Sequence, residues 1–137
     1  MTTGKAIIFQ IFKLPFALPS LNVQLRTHWA VRQRKQAAMM QAVLVAIGGP
    51  RYRLSEPIPR ARVQVQRYSS GTLDPDNLAA SCKGLLDVLC RASTTHPYGL
   101  GFIEDDSPAH IEFIVTQEKC KPGMGSTVVS IAPMGNE

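Results

Sequence analysis

The sequence predicts a single α+β domain spanning residues 1–137, with two main helices packed on a mixed β-sheet in the order β-α-β-α-β-β. Three observations carry that expectation. Between Arg60 and Tyr68, the apolar residues Ala61, Val63 and Val65 alternate with Arg62, Gln64 and Gln66, the two-residue period of a half-buried strand. Leu78, Cys82, Leu85, Leu86 and Leu89 recur at helical spacing and give the second helix one apolar side. Two β-rich runs, 109–118 and 126–133, close the chain.

The elements follow in order. Ala6 to Phe12 is an apolar, β-branched and aromatic run that reads as the first strand. Pro15 and Pro19 make the stretch from Leu14 to Leu21 a loop. Thr27 can cap a helix that runs to about Ile47, where Gly48-Gly49-Pro50 stops it. Trp29, Met40, Val43 and Ile47 form its apolar side and are expected in the core, with Met39 as filling. After the strand at 60–68 and the turn Ser69-Ser70-Gly71, Asp74 caps a second helix with Pro75 at its first position, continuing to about Arg91. A loop from Ala92 to Phe102 contains His96-Pro97-Tyr98-Gly99. The last two strands are expected to pair as a hairpin across Lys121-Pro122-Gly123-Met124-Gly125.

Charge is distributed unevenly. Residues 1–73 hold eleven Lys and Arg against Glu56 alone, whereas residues 74–137 hold four bases against nine acids. The whole chain is +5. A basic half of this size favours a phosphate-bearing partner over a neutral small molecule. Arg26, Arg32, Arg34 and Lys35, spread around the first helix, are the candidate phosphate contacts, and Arg51, Arg53, Arg60 and Arg62 extend the same surface. A solvated basic surface is the alternative.

Three cysteines, with no paired framework and no Cys-x-x-Cys, suit a reducing cytosol. No apolar run reaches membrane-spanning length, and Lys13 and Pro15 interrupt any signal-peptide layout. The expectation is a soluble cytoplasmic protein. His28, His96 and His110 show no metal-ligand spacing, which argues against a zinc site; His96 and Tyr98 lie in the loop before the acidic pair, where they could touch a DNA junction.

The acids are the chemically informative residues. On a single helix, Asp76, Ala80, Lys83 and Asp87 fall on one side, nearly opposite the leucines. Asp74 stands just before it, and Glu104-Asp105-Asp106 arrives from a separate loop. Carboxylates gathered in this way repel one another, and a divalent cation relieves the repulsion. Mg²⁺ prefers carboxylate oxygens, activates water and polarises a phosphoryl oxygen, while a lysine supplies positive charge to the transition state. Each residue also has an ordinary explanation. Asp74 is a helix cap, Asp76 a first-turn acid favoured by the helix dipole, and Lys83 with Asp87 a surface pair at i,i+4.

At these positions the chain resembles the RusA-like family of Holliday-junction resolvases of bacteria and their phages. The residues that carry the resemblance are Asp74-Pro75-Asp76-Asn77-Leu78, Lys83, Asp87 and Asp105-Asp106, with Leu21-Asn22-Val23-Gln24-Leu25-Arg26-Thr27-His28-Trp29-Ala30 and Arg32, Arg34 and Lys35 upstream. Better-known members carry the lysine about one turn after the second aspartate, whereas Lys83 stands two turns after Asp76. The resemblance implies a nucleoid-associated, homodimeric endonuclease that resolves four-way DNA junctions by paired symmetric nicks in recombination and repair. It implies Mg²⁺, or Mn²⁺ in its place, held by Asp74, Asp76 and Asp106, with Lys83 catalytic and Asp87 and Asp105 assisting. Two other expectations stand beside it: a nucleic-acid-binding module without catalysis, and a metal-dependent hydrolase of other branched DNA or of nucleotides.

Overall fold

The computed structural model describes residues 10–20 and 29–135. Residues 6–9 of the expected first strand, the Thr27 cap, His28 and Arg26 lie outside these. The described elements are β1 (Gln10–Leu14), α1 (Trp29–Ile47), a short 3₁₀ turn (Pro50–Tyr52), β2 (Ala61–Ser69), α2 (Pro75–Ser81), α3 (Lys83–Leu89), β3 (Ile111–Lys119) and β4 (Ser126–Pro133). They form one α+β domain on a four-stranded mixed sheet. Among them, no helix is long and apolar enough to cross a membrane.

The strand order is β1-β4-β2-β3. β4 lies antiparallel to both β1 and β2, and β3 lies parallel to β2 with Val65 opposite Val115. The expected hairpin of the last two strands is therefore not formed. The parallel β2–β3 pair needs a crossover, which α2 and α3 supply, and it leaves β3 at the sheet edge. β4 then returns to the other side of β2, where Val129 faces Val65.

Period-two burial fixes the two sheet faces. Ala61, Val63 and Val65 of β2 point inward with Phe12 and Leu14 of β1, Ile111 of β3, and Val129 and Ile131 of β4. Leu85, Leu86, Val88 and Leu89 of α3 cover them, joined by Phe102 and Ile103. Helix α1 contributes only through its C-terminal half, with Val43 buried and Met39, Met40, Leu44 and Ile47 partly so. Trp29, expected in the core, is 63% exposed, because the first residue of α1 lies before the stretch that packs.

The second helix, expected to be continuous, is two helices broken at Cys82. In an unbroken helix the Cys82 N–H would donate to the Leu78 carbonyl. Here the Ser81 hydroxyl donates to that carbonyl at 2.6 Å, and the Cys82 thiol is also aimed at it. The Cys82 N–H turns to Ala79 instead, at 3.2 Å. Serine bonding back onto the preceding turn bends helices in this way. From Leu86, whose N–H donates to the Cys82 carbonyl, the α-helical ladder resumes.

Candidate functional site

The acidic run is held against the end of α3 by its own backbone. The last carbonyls of a helix have no partners within it. Here Leu100 N–H donates to Val88, Gly101 N–H to Cys90, and both Phe102 and Ile103 N–H to Leu89. Phe102 and Ile103 are fully buried, and Ile103 bridges to both Ile58 and Cys90. The next residues, Glu104, Asp105 and Asp106, therefore have one place to go, beside the outer side of α3. Arg91 takes Glu104 in two hydrogen bonds and, as the largest influence, holds its carboxyl below the ordinary value.

On that outer side stands Lys83. Its ammonium donates to Asp87 at 3.0 Å, one turn along α3, and to Asp106 at 3.4 Å, 23 residues away in sequence. Partial desolvation works against its charge, but Asp87 and Asp106 outweigh this and raise its pKa above the ordinary value. Asp105 lies next to them. Desolvation opposes its charge too, yet the Asp106 backbone N–H, the Ser107 hydroxyl and the nearby His96 and His110 hold its carboxyl below the usual value.

His96 closes the site from the loop that follows α3. Its ring nitrogens face Asp87 Oδ1 at 3.5 Å and Asp105 Oδ1 at 3.8 Å. Ligand-type atoms of Cys90, His96, Asp105 and Asp106 all lie within 4.8 Å of one another, the one such group among the described residues. Cys90 is an unpromising member. Its thiol donates to the Leu86 carbonyl at 3.2 Å, and burial, then Asp106, Asp105 and Asp87, push its pKa up to about 12. The remaining donors, one imidazole and two carboxylates, suit a divalent cation.

The sequence-predicted residues divide into two sets. Lys83, Asp87, Asp105 and Asp106 are brought together. Asp74 and Asp76 stand outside the group, so Asp74, Asp76 and Asp106 are not gathered within that span. Asp74 is the α2 cap, accepting from the Asn77 N–H at 2.8 Å and the Asn77 side-chain amide at 2.9 Å. Asp76 is exposed in the first turn of α2 and makes no ion pair among the described residues. The residue missed by sequence spacing is His96; its only signal was its position in the loop before the acidic pair.

A cleft of about 220 Å³ opens beside the site, between α1 and the His96 loop, with Arg32, Gln33, Gln36, Asp87, His96 and Tyr98 among its lining residues. Gln36 donates to the Gly84 carbonyl at 2.9 Å and ties α1 to α3 there. Arg32, Arg34 and Lys35 are exposed on α1 and make no ion pair among the described residues. The other expected surface arginines are engaged. Arg53 donates to the Leu100 carbonyl, Arg60 to that of Ala109, and Arg62 to Glu112. Arg51 packs over the Tyr52 ring.

No protein-family model matches this chain, and no curated protein matches it.

Proposed function

We propose that the protein is a metal-dependent endonuclease that nicks branched DNA, with four-way junctions as its substrate class. Paired nicks require two such centres, so the reading includes a homodimer. The observation that carries it is the meeting of Lys83 with Asp106, across 23 residues of sequence, beside Asp87 and Asp105. A surface helix stabilised only by its own i,i+4 pair has no need of a second carboxylate from a separate, anchored loop.

In this reading Asp105 and Asp106 hold the cation. When bound, the cation supplies an activated water and neutralises phosphate charge. Lys83, kept protonated by Asp87 and Asp106, lies where its ammonium can meet a phosphoryl oxygen as charge develops. Arg32, on the wall of the adjoining cleft, and Arg34 and Lys35 on the same helix hold neighbouring phosphates. Arg26 belongs to the same set. Asp106, rather than the Asp74 and Asp76 pair, is the acid on which the reading turns.

A second reading, a nucleic-acid-binding module without catalysis, draws on Asp74, whose two carboxylate oxygens each accept a hydrogen bond from Asn77 as a helix cap. One panel separates the two. The protein is incubated with a four-way junction, a flap, a duplex and free nucleotides, with Mg²⁺, with Mn²⁺ and with chelator. The expected result is cation-dependent paired nicking of the junction. A junction bound but left intact under every cation supports the second reading; hydrolysis confined to free nucleotides defeats both.

A further inference from the structure

His96 has no assigned work in the reading above. Its side chain is 16% exposed, yet neither ring nitrogen makes a hydrogen bond among the described residues, and Nδ1 is sealed from solvent. A ring nitrogen sealed from solvent and left without a hydrogen bond is costly, and Nδ1 is such an atom. Nδ1 stands 3.5 Å from Asp87 Oδ1, a long contact that a small rotation of the ring would turn into a hydrogen bond, whereas Nε2 at 3.8 Å from Asp105 Oδ1 is beyond hydrogen-bond range. The Nε2–Asp105 separation matches a different arrangement. Donors on one cation, each bonded at about 2.1 Å, stand roughly 3 Å apart when adjacent and about 4 Å apart when opposite. His96 Nε2 and Asp105 Oδ1, 3.8 Å apart, fall between these two values, and the donor atoms of His96, Asp105 and Asp106 all lie within 4.8 Å of one another.

The two nitrogens differ in surroundings. Nε2 faces Asp105, a member of the clustered donors, whereas Nδ1 faces Asp87, which is not. A metal-bound histidine commonly donates its second N–H to a carboxylate, which fixes the tautomer and the ring plane. Asp87 stands in that position and is itself held by Lys83.

We propose that His96 Nε2, Asp105 and Asp106 form a divalent-cation site, with Asp87 positioning the imidazole through Nδ1–H, and that this site takes Mn²⁺ or Co²⁺ in preference to Mg²⁺. The proposal rests on the metal-dependent reading of the same site and adds the class of cation. Mg²⁺ favours an all-oxygen shell and gives up its waters reluctantly, whereas an imidazole donor raises affinity for the later first-row ions.

The test uses the full-length, metal-free protein without DNA. Mn²⁺ binding is followed by electron paramagnetic resonance, Mg²⁺ binding by calorimetry and Co²⁺ binding by its visible absorption. The expected result is one Mn²⁺ site at least tenfold tighter than Mg²⁺. His96→Ala and the more conservative His96→Gln should each weaken Mn²⁺ by about 10–100-fold, with Mg²⁺ changed much less, and Asp87→Asn should weaken Mn²⁺ by about tenfold. Thermal melts confirm that each variant is folded. Wild-type Mn²⁺ affinity in folded His96→Gln overturns the proposal, as does an intense near-ultraviolet sulfur-to-cobalt band, which would place Cys90 in the shell. Tight, His96-dependent Mn²⁺ binding without any nicking defeats the nuclease reading alone. Metal-dependent nicking with His96-independent Mn²⁺ binding defeats this inference alone.

Discussion

At the residue scale, Lys83 and Cys82 sit side by side in the chain with opposite fates. Lys83 reaches outward to two carboxylates, and its substitution tests chemistry. Lys83→Ala should lower the nicking rate by about 10²-fold or more while leaving junction affinity nearly unchanged, measured under single-turnover conditions. Cys82 turns inward and tests linkage. Burial, opposed by Ser81 and Arg67, pushes its thiol from 9.0 up to about 11. Between those values the unfolded thiol has lost its proton and the folded one has kept it. The stability this group contributes is therefore complete below pH 9 and is lost as pH rises through about 11. Urea midpoints at pH 8 and pH 10.5 should fall further for the wild type than for Cys82→Ala. Lys83, Asp87, Asp105 and Asp106 were legible in the sequence, because charged residues at helical spacing and an acidic pair are local patterns. The place of His96 among these carboxylates was not legible, nor was the burial of Arg67, which donates to the Leu18 carbonyl at 2.8 Å. Burial of a charged side chain depends on what packs over it, and no local pattern records that.

Element-scale order depends on the loop between α3 and β3. Gly99 lies so close to the end of α3 that an added Cβ would come 2.3 Å from the Cys90 carbonyl oxygen and 2.8 Å from the Ala92 nitrogen. Backbone atoms on both sides leave no room for a small adjustment. Gly99→Ala should cost roughly 2–4 kcal/mol by urea denaturation and displace the loop that carries His96. The elements themselves were legible. β4 was expected and found at 126–133, and β2 differs by one residue at either end, because alternation has an unmistakable period. The break at Cys82 was not legible, since it comes from a serine hydroxyl and a thiol competing for one carbonyl. The missing hairpin has another cause. A turn signal says where the chain reverses and does not say which strand receives it, and here β2 rather than β3 receives β4.

For the whole molecule, the uneven charge in the sequence overstates the basic surface. Arg53, Arg60, Arg62 and Arg67 are spent on carbonyls or on Glu112, which leaves α1 as the exposed basic element beside the site. If α1 carries the DNA contacts, the combined Arg32→Ala, Arg34→Ala and Lys35→Ala variant should weaken junction binding and lower the slope of log affinity against log salt by about three. Arg62→Ala should leave both unchanged. Fluorescence anisotropy across a potassium chloride series measures this.

The proposed chemistry turns on the gathering of Asp106 with Lys83, and Asp106→Asn addresses it most directly. Junction binding by the variant is measured in chelator, and nicking is measured with Mn²⁺ under single-turnover conditions. Binding should equal or exceed that of the wild type, since a negative charge near phosphate has been removed, and nicking should be lost. Nicking at the wild-type rate would contradict the proposed chemistry.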